Sequence, residues 1–199
     1  MTAARVVFSE SGSKALMSDV AERANVGNAT LYRHFPDRAS LIRAVLDRGF
    51  DEYLAPVIAQ AVEDDDPYRA LVTVLEATLT LAEHDRNLLT VALEAGAIST
   101  DLYGRFVDST RLLLRRAQHA GTIRGDIVAD DIVNIMVMLR SVTMTPNNPD
   151  GWRRYLSLIL AGLDPRSTQP LPPALPLPET PPGNPDQQCV QRKQPPHLQ

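Results

Sequence analysis

The chain has one cysteine in 199 residues, Cys189, so no internal disulfide framework can hold it together. Its four histidines and single cysteine are widely separated, with no metal-ligand spacing. The ten glycines are scattered, several at expected helix ends, and none forms a phosphate-cradling loop. No serine sits in a nucleophile elbow. The one dense carboxylate run, Glu63-Asp64-Asp65-Asp66, ends at Pro67 and reads as a loop and helix start, not a paired acid-base site. The expectation is a protein that is not an enzyme and needs neither cofactor nor metal. No stretch reaches ~18 uncharged apolar residues, which gives no membrane span and no membrane partner. No charged start followed by an apolar run marks a secretory leader, so a reduced, cytoplasmic protein is expected. Aromatic residues are scarce at 5%, and no strand-like alternation occurs anywhere. The class expected is all-α, with helices packed through Leu, Val, Ile and Ala.

A hydrophobic fraction of 44% supplies a sizeable core. The net charge of −4 is unevenly spread. Residues 1 to 50 hold seven basic and five acidic side chains, which leaves the remainder at −6. A modest positive bias at one end fits a chain that meets phosphate only there.

The stretch from Met17 to Phe35, MSDVAERANVGNATLYRHF, reads as helix, tight turn, helix. Val20, Ala21 and Ala24 share one face of the first helix. Asn25 suits the left-handed backbone of a sharp turn, and Val26 is placed to plug the corner. Leu31 and Phe35, four apart, face the core. Gly27, Asn28, Ala29, Thr30, Tyr32, Arg33 and His34 are left outward. Gly27 and Ala29 allow close approach, Asn28 and Thr30 can read base edges, and Arg33 can take guanine bidentately or pair with phosphate. Asn28 either caps the second helix or points at DNA; Tyr32 and His34 either reach DNA or pack locally. Asp19 and Glu22 would repel phosphate and are expected to be solvated or to pair with Arg23. A plain helical hairpin has no reason to expose Tyr, Arg and His together beside small residues.

The string DVAERANVGNATLYRHFPDRASLIRAVL resembles the DNA-binding domain of TetR/AcrR-type transcriptional regulators, over residues 4 to 50. The specific parts are TLYRHF, the helix-breaking Pro36 with Asp37, and the Leu41-Ile42 and Val45-Leu46 pairs that open a connecting helix. By this resemblance Arg38 matches a phosphate-contacting position. Leu16 stands where the family carries a Ser or Thr cap, and Ser18 could replace it by shifting the helix start. Candidate DNA contacts are thus Ser18, Gly27, Asn28, Ala29, Thr30, Tyr32, Arg33, His34 and Arg38. Family members begin earlier, with basic residues ahead of the first helix. Here that helix, expected from about Ala3 to Ser11 with Val6, Val7 and Phe8 inward, starts almost at once. This keeps a second reading open: a helical protein-interaction module with impaired DNA binding.

Three parts are expected. Residues 1–48 form the three-helix helix-turn-helix domain. Residues 49–163 form a larger helical domain, which the resemblance makes ligand-binding and dimerising. Residues 164–199 form a disordered tail holding eleven of the sixteen prolines from Pro165 on. In the second part, Ala129–Met144 and Trp152–Leu163 are apolar on nearly all sides, which suits either a central core or a subunit interface. The resemblance implies the interface, and with it a homodimer on a palindromic operator in double-stranded DNA, released by a small-molecule effector. Met136 and Met138 are candidate pocket liners, with His84, Glu94, Asn134 and Arg140 as polar candidates. The resulting expectation is a ligand-responsive repressor.

Overall fold

The computed structural model describes residues 1–144, 151–167 and 169–174, and among them there are ten α-helices and no strand. They fall into two compact units. One comprises Met1–Arg48 and Asn87–Thr100; the other comprises Gly49–Arg86 and the described residues from Asp101 on.

In the first unit, α1 (Thr2–Ser11) ends at Gly12, whose φ of 54° lies in the left-handed region that glycine adopts without penalty. The buried residues of α1 are Ala4, Val7 and Phe8; Val6 is only half-buried. A 3₁₀ turn, Gly12–Lys14, leads to α2 (Met17–Arg23). Asn25, with φ 53°, turns the chain toward α3 (Asn28–His34). Then α4 (Arg38–Gly49) begins at Asp37, whose Oδ1 accepts the Ser40 N–H at 2.7 Å while Ser40 Oγ donates to Asp37 O at 2.7 Å. Leu41, Ile42, Val45 and Leu46 form the buried stripe of α4. The first unit is completed by most of α7 (Arg86–Glu94) and the turn after it, where Gly96 has φ 58°.

In the second unit, Phe50–Leu54 forms a π turn in which the Ala55 N–H donates to Phe50 O. The widened turn leads into α5 (Ala55–Glu63), with Pro56 in its first turn, where a missing N–H costs no helical bond. Arg116 grips the end of α5, donating to the carbonyls of Ala61 (3.2 Å), Val62 (2.6 Å) and Asp64 (2.6 Å). The acidic loop then caps α6 (Pro67–His84): Asp66 Oδ1 accepts the N–H groups of Tyr68 and Arg69, each at 3.0 Å. The remaining helices are α8 (Thr100–His119), α9 (Ala129–Thr143) and α10 (Trp152–Gly162). Their core centres on Leu71, Leu75, Leu113, Ile132, Trp152 and Leu156, all essentially inaccessible to water. Each such side chain contributes about 1.5–3 kcal/mol by burial. The Trp152 indole N–H donates to Glu83 Oε2 at 3.1 Å.

The turn between α8 and α9 carries a buried cation. Arg124 is 9% exposed and forms a two-pronged pair with Asp126 (2.6 and 2.8 Å). Its Nη1 also donates to Ser167 Oγ (3.2 Å), and its Nη2 to Gln169 O (2.6 Å). Asp126 in turn accepts the Leu171 N–H at 3.4 Å. The first residues of the proline-rich segment are therefore tied to the α8–α9 turn. From residue 175 on, the expected disordered tail lies outside the described residues, as do residues 145–150 between α9 and α10. No described helix is long and apolar enough to cross a membrane.

Candidate nucleic-acid interface

The outward surface of the first unit is built on two helices of seven residues each. Helices this short are unstable alone, so their positions depend on what they pack against and how their ends are capped. In α2, Met17, Val20 and Ala21 are buried, while Leu16, at the cap position, is 61% exposed. Leucine has no side-chain acceptor, and Ser18 does not replace it by shifting the start. Asp19, three residues on, reaches back, and its Oδ2 accepts the Leu16 N–H at 2.9 Å. That carboxylate is a helix cap and not a partner of Arg23. Arg23 pairs instead with Glu10 at 2.6 Å on the surface. Ser18 lies exposed on the first turn of α2.

The cap residue of α3 is Gly27, so Asn28 occupies the first helical position and makes no capping bond. Val26, 41% exposed, does not plug the corner; its N–H donates to Ala21 O at 3.0 Å and the side chain stays out. Leu31 alone is buried on α3, with Phe35 half-buried behind it. Asn28, Ala29, Tyr32, Arg33 and His34 are exposed, and Thr30 is half-exposed. Tyr32 is 50% exposed. Among the described residues, Tyr32, Arg33 and His34 hold no side-chain hydrogen bond or ion pair.

Gly27 is informative through what does not require it. Its φ of −70° is open to any residue, and a Cβ there would meet only Thr30 Oγ1, at 3.9 Å. Neither backbone nor internal packing demands glycine.

Arg38 stands apart from the other candidates. Its Nη2 donates to Gly12 O (3.2 Å) and Ser13 O (3.1 Å), and its Cζ lies 5.5 Å from the Phe8 ring centroid. This half-buried guanidinium fastens the start of α4 to the turn between α1 and α2. The structure thus brings Ser18 and the α3 set to the surface and turns Arg38 inward.

Two family models match this chain. Residues 1–45 match bacterial regulatory proteins of the tetR family, and residues 66–165 match the SbtR-like transcriptional regulator C-terminal domain. The chain belongs to the TetR family of bacterial transcriptional regulators. Over 102 residues it is 32% identical to the HTH-type transcriptional repressor KstR of Mycolicibacterium smegmatis, covering 51% of this chain and 50% of that protein. Over 86 residues it is 34% identical to the HTH-type transcriptional activator FasR of the same organism, covering 43% of this chain and 39% of that protein. It therefore spans half or less of the length of these two curated relatives. Among solved structures, the TetR regulator SCO0520 of Streptomyces coelicolor superposes with a TM-score of 0.63 at 27% identity, covering 83% of this chain and 97% of that one.

The second unit of this TetR-family chain leaves an apolar surface on its last two helices. Val137 (50%) and Met138 (59%) on α9 and Tyr155 (46%) and Leu158 (58%) on α10 are exposed. Met138 is therefore no interior pocket liner, unlike the buried Met136. His84, Glu94 and Asn134 are exposed too; only Arg140 is half-buried, and burial lowers its pKa. An open cleft of about 550 Å³ lies against Tyr68, Thr122 and Leu160. Of its three charged residues, Asp164 and Arg166 are paired with each other and Asp66 caps α6.

Proposed function

We propose that the protein is a DNA-binding transcriptional regulator that acts as a homodimer, with α3 as the helix that enters the major groove. The observation that carries this reading is the surface of α3. Asn28, Tyr32, Arg33 and His34 stand unburied beside an exposed alanine and a glycine that the fold does not need to be small. Asn28, Thr30 and Arg33 read base edges, while Ser18, Tyr32 and His34 contact sugar and phosphate. Gly27 and Ala29 let the backbone come close. Arg38 makes no DNA contact; it holds the preceding turn in place.

The apolar surface of α9 and α10 pairs with its copy. Two-fold symmetry then puts two recognition helices about one DNA turn, ~34 Å, apart on a palindromic operator. A small molecule bound in the helical domain favours a dimer geometry that no longer matches the half-site spacing, and the protein leaves the DNA. Occupancy of the operator blocks transcription, so the protein is a repressor that works in the cytoplasm by binding and not by catalysis. Its domains follow this division of labour: residues 1–48 for DNA, 49–163 for ligand and dimer, 164–199 as a tail.

The test is a gel shift of the purified chain on the DNA upstream of its own coding sequence, at two salt concentrations with competitor. A specific shift that weakens steeply with salt is expected. A chain that binds no duplex in preference to competitor at either salt is instead a helical protein-interaction module.

A further inference from the structure

We infer that the segment Asn87–Ser99 is a positioning element for the DNA-binding surface, with Asn87 and Glu94 as its working residues; this rests on the reading of α3 given above. The segment lies far along the chain, yet it belongs to the same compact unit as the helix-turn-helix. Three side-chain contacts tie it there. Asn87 Nδ2 donates to Ser9 O at 2.6 Å, and Ser13 Oγ donates to Glu94 Oε2 at 2.7 Å. Ser99 Oγ donates to Asp47 Oδ1 at 3.1 Å.

The two α7 contacts converge on one short stretch. Ser9 O is among the last four carbonyls of α1, which no helical N–H can reach, and the Asn87 amide supplies the missing donor. Its Cβ also lies 3.8 Å from where a Cβ on Gly12 would stand, so the side chain is seated on the left-handed residue that ends α1. Seven residues further on, two turns along the same face of α7, Glu94 takes the Ser13 hydroxyl. Arg38 holds the carbonyls of Gly12 and Ser13. The turn that launches α2 is thus gripped by α4 and by α7 together. Because α2 has only seven residues, its entry angle is set by that turn more than by its own hydrogen bonds. Loosening the grip lowers the fraction of molecules with α2 and α3 ready for the groove, and the apparent dissociation constant rises by the inverse of that fraction.

The experiment compares Asn87→Ala, Glu94→Ala and Glu94→Gln with the parent in full-length protein. The probe is a labelled duplex carrying the DNA upstream of the coding sequence, titrated at several salt concentrations. Amide hydrogen exchange without DNA is followed in parallel. Each alanine variant should bind about 3- to 10-fold more weakly. The salt slope should match the parent, since no phosphate contact is lost. Glu94→Gln keeps an acceptor oxygen and should bind as the parent does. Amides from Gly12 through Arg23 should exchange faster in both alanine variants, with the second unit unchanged. Arg105→Ala separates positioning from general destabilisation. It removes an ion pair to Asp51 and a ring contact to Phe50 inside the second unit, and should leave DNA affinity alone. Parent-like affinity together with parent-like exchange in both alanine variants overturns the inference, as does an equal loss in Arg105→Ala. If the parent itself shows no specific binding, the reading of α3 fails, and exchange alone decides: faster exchange in α2 upholds the positioning role, and unchanged exchange overturns it.

Discussion

Two arginines of the helix-turn-helix, Arg33 and Arg38, look alike in sequence and should behave in opposite ways when removed. Arg33 is exposed in the last turn of α3 and has no side-chain partner among the described residues. Its loss should cost nothing in folding beyond about 0.5 kcal/mol. On the operator each subunit loses one cationic contact, so the slope of log affinity against log salt should shrink by about 0.9 per subunit, or about 1.8 per dimer. If the contact is to a guanine edge, about 1–3 kcal/mol of discrimination per half-site goes with it. Arg38 has two hydrogen bonds to carbonyls and a ring contact to lose. Each bond is worth about 0.5–1.5 kcal/mol, and the half-exposed ring contact about 0.5–1 kcal/mol. Discounted for exposure, Arg38→Ala should destabilise the first unit by about 1–3 kcal/mol, read by urea titration, with no change in salt slope. An Arg38→Ala protein of parent stability whose salt slope falls by about 1.8 would refute the assignment, since the guanidinium would then be spending itself on phosphate.

Other outcomes follow from the second unit. Trp152→Phe removes the indole donor to Glu83 and leaves a void in a fully buried site, so a loss of about 2–4 kcal/mol is expected in urea unfolding. A loss below half a kcal/mol would show that the indole bond contributes little. Leu158→Glu alters a side chain that is 58% exposed in one chain, so the protomer should fold as before while sedimentation shows a monomer. A Leu158→Glu dimer of unchanged affinity would place the subunit contact elsewhere. Asp126 is held down to a pKa of about 2, first by its hydrogen bonds from Arg124. A lowered folded-state value means the tie is fully present above the ordinary carboxyl range near 3.8 and is lost as pH falls from there toward 2. The Leu171 amide resonance should move across that window; a midpoint at the ordinary value would mean that Arg124 does not hold the carboxylate.

Local rules carried much of the fold. The end of the first helix near Ser11, the turn at Asn25 and the helix start at Pro67 were all legible, because each rests on a backbone preference within a few residues. The α3 surface was legible for the same reason: a seven-residue helix with one buried leucine leaves little choice of face. The Asp19 cap is legible as an acidic residue three places after Leu16, although Leu16 itself carries no hydroxyl to mark the cap. The contacts of Arg38 were not legible, because its partners, Gly12 and Ser13, lie 26 and 25 residues away, beyond any helical period. Asn87 and Glu94 were missed for the same reason at separations of 78 and 81 residues. Met138 was assigned inward because α9 is apolar on several faces, and composition cannot say which face a neighbour covers.

The tie at Arg124 also bears on where this protein can be cut. The family match ends at residue 165, and α10 ends at Gly162, so either would look like a natural place to truncate. Both cuts remove Ser167 and Gln169 and strand two guanidinium contacts of an arginine that is 9% exposed. Cutting after Leu171 keeps them. A fluorophore or affinity tag joined there would start from a point that Asp126 and Arg124 hold fixed, giving distance measurements a reference that a tag on a bare helix end lacks.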